Sequence, residues 1–231
     1  MITDYASLQA AIASWLARAD LTTQIPTFIR LAEARMNKDL RVLDMQSEFI
    51  GTVTASNKSM VLPGGALELQ SVRLDVAGRP VEVKPLAPVW MSQKDDVTGS
   101  PLGYVRVGDI LYIIGGNIPN VGPGHPDQDV AYSILYMRSI PALGTITITP
   151  APPGGGSGGT TTEITSNWLI LKEPGMYLYA SLIEASPYLH DDARTLVWAE
   201  QYKSILSAMR IADDNARYGN APSLRMRMYT P

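Results

Sequence analysis

The side chains that could carry out chemistry in this chain are few, and their spacing does not favour it. Three pairs of neighbouring acids, Asp95-Asp96, Asp191-Asp192 and Asp213-Asp214, are the first candidates. Two carboxyl groups set a few ångströms apart on one face could act as acid and base on a glycosidic bond. Adjacent residues point in different directions along a helix or strand, so none of these pairs is a catalytic couple by itself. The histidines are His125 and His190, and there is no cysteine. A zinc site would then need carboxylates for most of its ligands. The run Gly154-Gly155-Gly156-Ser157-Gly158-Gly159 is not followed by Lys-Ser or Lys-Thr and opens no helix, so it does not read as a phosphate loop. No Gly-x-Ser-x-Gly elbow occurs.

Glu184 is the one carboxylate whose setting demands an explanation. It falls inside a helical pattern with apolar neighbours, where an ionised group needs a cation or hydrogen-bond donors. Arg35 and Arg194 are the candidate partners. A structural ion pair is the expectation; the rival is a hydrolase using Glu184 with an Asp. Tyr177, Tyr179 and Tyr188 could stack on bases, but core packing at a helix junction is the expected role. The reading is of a protein with no enzymatic activity, no cofactor and no metal.

The elements that would hold these residues follow from periodicity. Tyr5, Leu8, Ile12, Trp15 and Leu16 predict a helix over 4–18, with Thr3 or Asp4 as its cap. A second helix, with Pro26 early, runs to about Arg41 and puts Ile25, Ile29, Ala32, Met36 and Leu40 on one face. Arg30, Glu33 and Asn37 fall on the other face. Near the far end, Pro174 starts a helix over about 173–186 that Pro187 is expected to stop. Asp191 and Asp192 announce the next helix, whose seam is Trp198, Tyr202, Ile205, Met209 and Ala212. Between the two helical pairs the period changes to two. Tyr104 to Val107 and Ile110 to Ile114 flank Gly108-Asp109, the clearest hairpin signal.

The fold expected is therefore α+β: a four-helix base from both chain ends with an inserted antiparallel β sandwich or barrel. The divisions are 1–45 for the first helical pair, 46–166 for the β domain, 167–217 for the second helical pair and 218–231 for an extended tail. A long hairpin arm near 144–166, with the glycine-rich tip, belongs to the β part. In the tail, Leu224, Met226, Met228 and Tyr229 alternate with Arg225 and Arg227, following Arg217 and Tyr218. Such a segment is either disordered or an arm that orders against a neighbouring subunit or partner.

Composition bounds the partners. The chain has 231 residues, 45% hydrophobic and 18% charged, and a net charge of −3. That balance argues against a dedicated DNA-binding domain, whose footprint is a basic face. No apolar run is long enough to cross a bilayer and no secretion signal opens the chain.

Residues at both ends carry a resemblance. Trp168-Leu169, Pro174, Tyr177-Leu178-Tyr179-Ala180, Glu184-Ala185, Pro187-Tyr188-Leu189 and Asp191-Asp192-Ala193-Arg194 are similar to the C-terminal signature of tailed-phage head-to-tail adaptor (connector) proteins. Ile12-Ala13-x-Trp15-Leu16, Ile25-Pro26-x-Phe28-Ile29 and Leu31-Ala32-Glu33-Ala34-Arg35-Met36-Asn37 resemble that family's opening helices. The resemblance implies a homo-oligomeric ring, typically twelve copies, under the portal protein in the virion neck, assembled in the host cytoplasm. Its other face would receive a tail tube or nozzle protein, and double-stranded DNA would pass through without sequence-specific binding. The residues from Arg217 to Tyr229 named above would then meet the portal or a neighbour. In that family Pro141-Ala142-Leu143 is joined to Asn167-Trp168-Leu169 by a short polar link, so residues 144–166 are a departure. The alternative is a tail- or fibre-associated β-domain protein that binds host glycan. It would concentrate aromatic residues in the β loops, whereas Trp and Tyr fall mostly in the helical segments here.

Overall fold

The computed structural model describes residues 1–18, 20–53, 59–76, 79–93, 102–114, 130–144, 146–149, 160–189 and 194–218. It is α+β and divides into two compact units, one of Met1–Asp44 with Ile140–Pro231 and one of Met45–Ser139.

In the first unit, α1 (Tyr5–Leu16) is capped by Asp4, whose carboxylate accepts the Ser7 N–H at 2.8 Å while the Ser7 hydroxyl reaches back to the Asp4 N–H. Leu8, Ile12 and Leu16, spaced by four, are buried. The second helix, α2 (Ile25–Asp39), buries Ile25, Phe28, Ile29, Ala32 and Met36. A five-residue helix follows much later, α3 (Trp168–Lys172), capped by Asn167, whose Oδ1 accepts the Ile170 N–H at 3.0 Å. It is a piece that the apolar period of Trp168–Lys172 alone was too short to announce. Then come α4 (Pro174–Leu189) and α5 (Thr195–Tyr218). α4 packs on α1, α2, α3 and α5.

Pro187 does not stop α4, as expected from its type; the helix runs through it to Leu189. Proline in the last turn forfeits a single backbone bond. On that turn Tyr188 packs its ring edge against Phe28, centroids 5.8 Å apart.

The boundary of the inserted part also differs from the expected residue 166. It falls between Ser139 and Ile140. The reason is hydrogen bonding to α2: the Ile140 N–H donates to Asn37 Oδ1 and the Leu143 N–H to Glu33 Oε1, both at 2.8 Å. The arm that follows is a hairpin, β8 (Ile146–Thr149) antiparallel to β9 (Thr160–Glu163). Its base is held by the Gly144 N–H to the Ile164 carbonyl and the Tyr5 N–H to the Thr165 carbonyl, at 2.7 and 2.8 Å. Gly144 has φ +67°, and a Cβ there would sit 2.7 Å from the Tyr5 ring, so only glycine serves at this corner. The glycine-rich tip lies outside the described residues.

The second unit is a nearly closed sheet of seven strands. These are β1 (Gln46–Val53), β2 (Ser59–Val61), β3 (Ala66–Val76), β4 (Arg79–Pro85), β5 (Gly103–Val107), β6 (Ile110–Ile114) and β7 (Val130–Arg138). They run in the order β1-β7-β3-β4-β5-β6-β2, with β1 and β2 near each other. Val53, Leu74, Leu111, Ile113 and Ile134 are buried at its centre. The sheet is mixed, which corrects the purely antiparallel expectation: β4 and β5 run parallel, Lys84 opposite Gly103 and Pro85 opposite Tyr104. Residues 86–102 connect them, a length suited to a crossover and not to a tight hairpin. Gly103 permits this ladder, because a Cβ would stand 2.4 Å from the Lys84 carbonyl oxygen.

Candidate interaction surfaces

Within the helical unit the charged side chains are arranged to bind the chain to itself. Arg35 on α2 donates from Nε to Glu184 Oε1 on α4 at 2.6 Å, and its Nη2 lies 2.5 Å from the same oxygen. They border an open hollow of about 400 Å³ with Leu31, Lys38 and Asp39. Arg194, the other expected partner of Glu184, stands just before α5. Its Nη1 donates to the Trp15 carbonyl at 3.2 Å and its guanidinium lies 5.2 Å from the Trp198 ring centroid.

A deeper polar cluster was not foreseen. Glu33, assigned by helical period to the face away from the apolar stripe of α2, is only 4% exposed. One oxygen accepts both the Leu143 N–H and, at 3.3 Å, the Tyr177 hydroxyl. Asn167 Nδ2 donates to that hydroxyl at 2.6 Å and to the Pro141 carbonyl at 2.7 Å. Burial pushes the Glu33 carboxyl up to about 7, opposed by the bonds from Leu143 and Tyr177. Burial also raises the Tyr177 phenol, and the Glu33 charge adds to this. The cluster thus ties α2, α4 and the start of α3 to the segment Pro141–Leu143. It can hold or release one proton, but it sits in the interior. Among the described residues no group of three acidic or histidine side chains is placed to bind a metal ion, and no helix is long and apolar enough to cross a membrane.

Apolar side chains also face outward from the unit. At one end, the Arg194–Trp15 bond and the Ser186 and Thr195 hydroxyls, 2.6 Å apart, gather the ends of α1 and α4 against the start of α5. Of the residues at these helix ends, Trp15, Tyr188, Leu196 and Val197 are each exposed, to 44%, 50%, 76% and 55%. At the other end of α5 lies a groove of about 420 Å³, floored by Val42, Ala208, Met209, Ala212 and Ala216. Its walls are fixed by the Lys172–Asp44 ion pair at 2.5 Å and by Asp213, which accepts the Leu43 N–H at 2.5 Å and Arg217 Nε at 2.7 Å.

A unit that leaves large apolar side chains and an apolar-floored groove open presents surfaces suited to contact with other proteins. The family comparison agrees: the profile described as SU10 adaptor protein matches residues 3–227. The chain belongs to that family. It is a family of phage head–tail adaptors, structural proteins of the virion that interact with other head and tail proteins. Comparison with curated proteins finds no match.

For an adaptor the residues of interest are those at surfaces. Of the tail residues expected to meet the portal or a neighbour, Arg217 is held to Asp213 and Tyr218 closes α5. Leu224, Arg225, Met226, Arg227, Met228 and Tyr229 lie outside the described residues, as do Asp191, Asp192, His125 and His190. Glu33, Asn37 and Asn167 are the positions that sequence reasoning missed. Asn167 had a signal, an N-capping residue type ahead of Trp168-Leu169. Glu33 and Asn37, four apart on α2, had none, because the segment that covers them is more than a hundred residues away.

Proposed function

We propose that the protein is a structural head-to-tail adaptor that forms a ring under the portal of a tailed phage, joins it to a tail tube or nozzle protein, and lets genomic DNA pass. The observation that carries this reading is the family match over residues 3–227, nearly the whole chain. The helices from the two chain ends serve as the base of each subunit, which supports a role in stacking proteins and not in catalysis. The net charge of −3 suits a channel lining, since cationic contacts drive nonspecific attachment to DNA. On this reading the ring has about twelve copies, as the resemblance implies, and contacts along the tail from Arg217 to Tyr229 engage the portal or a neighbour. A ring also needs a contact between unlike surfaces that closes by rotation.

Labelling of a tagged copy in assembled particles, followed by electron microscopy, tests the proposal. Density at the neck between capsid and tail is expected. Density on fibres or capsid faces would refute it.

A further inference from the structure

We infer that the groove at the end of α5 is the seat of the chain's own C-terminal segment, with residues 224–228 lying extended along it. This concerns the isolated chain and does not depend on the adaptor function proposed above; a tail that engages a portal or a neighbour would first have to leave the groove.

The groove is a hollow of about 420 Å³ formed where α5 meets two distant segments, residues 42–44 and 172–173. Val42, Met209 and the alanines at 208, 212 and 216 give it an apolar floor. Two of its carboxylates are already engaged, Asp44 by Lys172 and Asp213 by Arg217 and the Leu43 N–H. Apolar surface is what it leaves uncovered, so its occupant is recognised by apolar side chains and not by charge.

Where the chain goes next decides the occupant. α5 ends at Tyr218, just past Ala216 on the floor of the groove, and the chain continues through residues 219–231. Gly219 and Pro222 are residue types that end a helix and turn the chain. A reversal takes about four residues, so one within 219–223 starts a return path along α5 at Leu224. In an extended conformation Leu224, Met226 and Met228 share one side, and Arg225 and Arg227 share the other. The lengths agree. Leu224 to Met228 spans ~13 Å at ~3.3 Å per residue, and Ala208 to Ala216 spans ~12 Å at ~1.5 Å per residue. A tether at the rim also holds the segment there at an effective concentration on the order of millimolar, which a separate molecule meets only at that bulk concentration.

The chain has no cysteine, so introduced thiols report cleanly. In the full-length chain Met226→Cys is paired either with Ala212→Cys in the groove or with Asp214→Cys, an exposed position ~160° away around α5. A freely moving tail reaches both positions alike. With a short thiol-reactive cross-linker, the Ala212 pair should close within one chain ~10-fold faster or more. Its rate should not depend on protein concentration and should change little with salt. Adding Leu224→Asp, which puts a charge into the apolar seat, should bring that rate down to that of the Asp214 pair, with helical content unchanged by circular dichroism. Equal rates for the two pairs overturn the inference. Links between chains that increase with concentration overturn it in favour of a neighbouring copy's tail. A rate that falls steeply with salt overturns it in favour of an ionic contact. None of these outcomes touches the particle labelling that tests the adaptor function.

Discussion

Replacing Glu33 by glutamine is expected to remove most of the pH dependence of stability of the helical unit between pH 4.5 and about 7. In the wild type the carboxyl is raised from an ordinary 4.5 to about 7 by burial. Across that window the folded chain keeps a proton that the unfolded chain has lost. Stability therefore falls as pH rises, from a full contribution below 4.5 to its loss above about 7. A carboxyl raised from 4.5 to about 7, at ~1.4 kcal/mol for each pH unit between the two, sets the change at about 3 kcal/mol. For a chain of this size that is a difference in Tm of roughly 6–12 °C between the ends of the window. Glutamine keeps a carbonyl oxygen for the Leu143 N–H, now accepting at 2.8 Å, but cannot ionise. Near pH 8 the variant should be the more stable protein, and near pH 5 the two should be close. Calorimetry of the full chain from pH 4.5 to 8 reads this directly, following the transition that the substitution moves because the chain has two units. Equal slopes in wild type and variant would refute the claim that Glu33 is ionised at a cost in the folded interior.

Two further substitutions test the remaining structure. Asn167→Ala removes the cap on the Ile170 N–H and the donors to Pro141 and Tyr177; it should cost roughly 2–4 kcal/mol in denaturant unfolding, and a loss under ~0.5 kcal/mol would show that water replaces it. Gly103→Ala forces a Cβ to within 2.4 Å of the Lys84 carbonyl oxygen, so it should destabilise the seven-stranded unit by roughly 1–3 kcal/mol. Hydrogen exchange at the Leu86 amide, which donates to the Tyr104 carbonyl, should quicken accordingly, and unchanged protection there would contradict the parallel pairing of β4 and β5.

Much of the scaffold was legible before any coordinates. Leu8, Ile12 and Leu16 mark the buried stripe of α1, and Gly108-Asp109 marks the turn between β5 and β6, because both signals are local. The need of Glu184 for a cation was legible for a different reason: a charge on an apolar helix has few ways to be satisfied. The candidate surfaces were less so. The groove depends on α5 meeting residues 42–44 and 172–173, segments far apart in the chain. Trp15, which belongs to the apolar pattern of α1, is half exposed and packs edge-on against Tyr179 at 5.8 Å.

By itself the sequence determined where the chain changes from helical to strand period, which helix starts and hairpin it uses, and that the chain carries no thiol. Those properties reside in neighbours along the chain, whose spacing and conformational preferences act over a few residues. Tertiary structure alone decided the direction of β5 beside β4, the continuation of α4 past Pro187, and the burial of Glu33. Each is accompanied by a contact with a group brought from a distance: the Lys84 carbonyl against Gly103, the Phe28 ring against Tyr188, and the Leu143 N–H against a carboxylate. A local pattern can place a side chain on a face, but what covers that face is chosen by the rest of the fold.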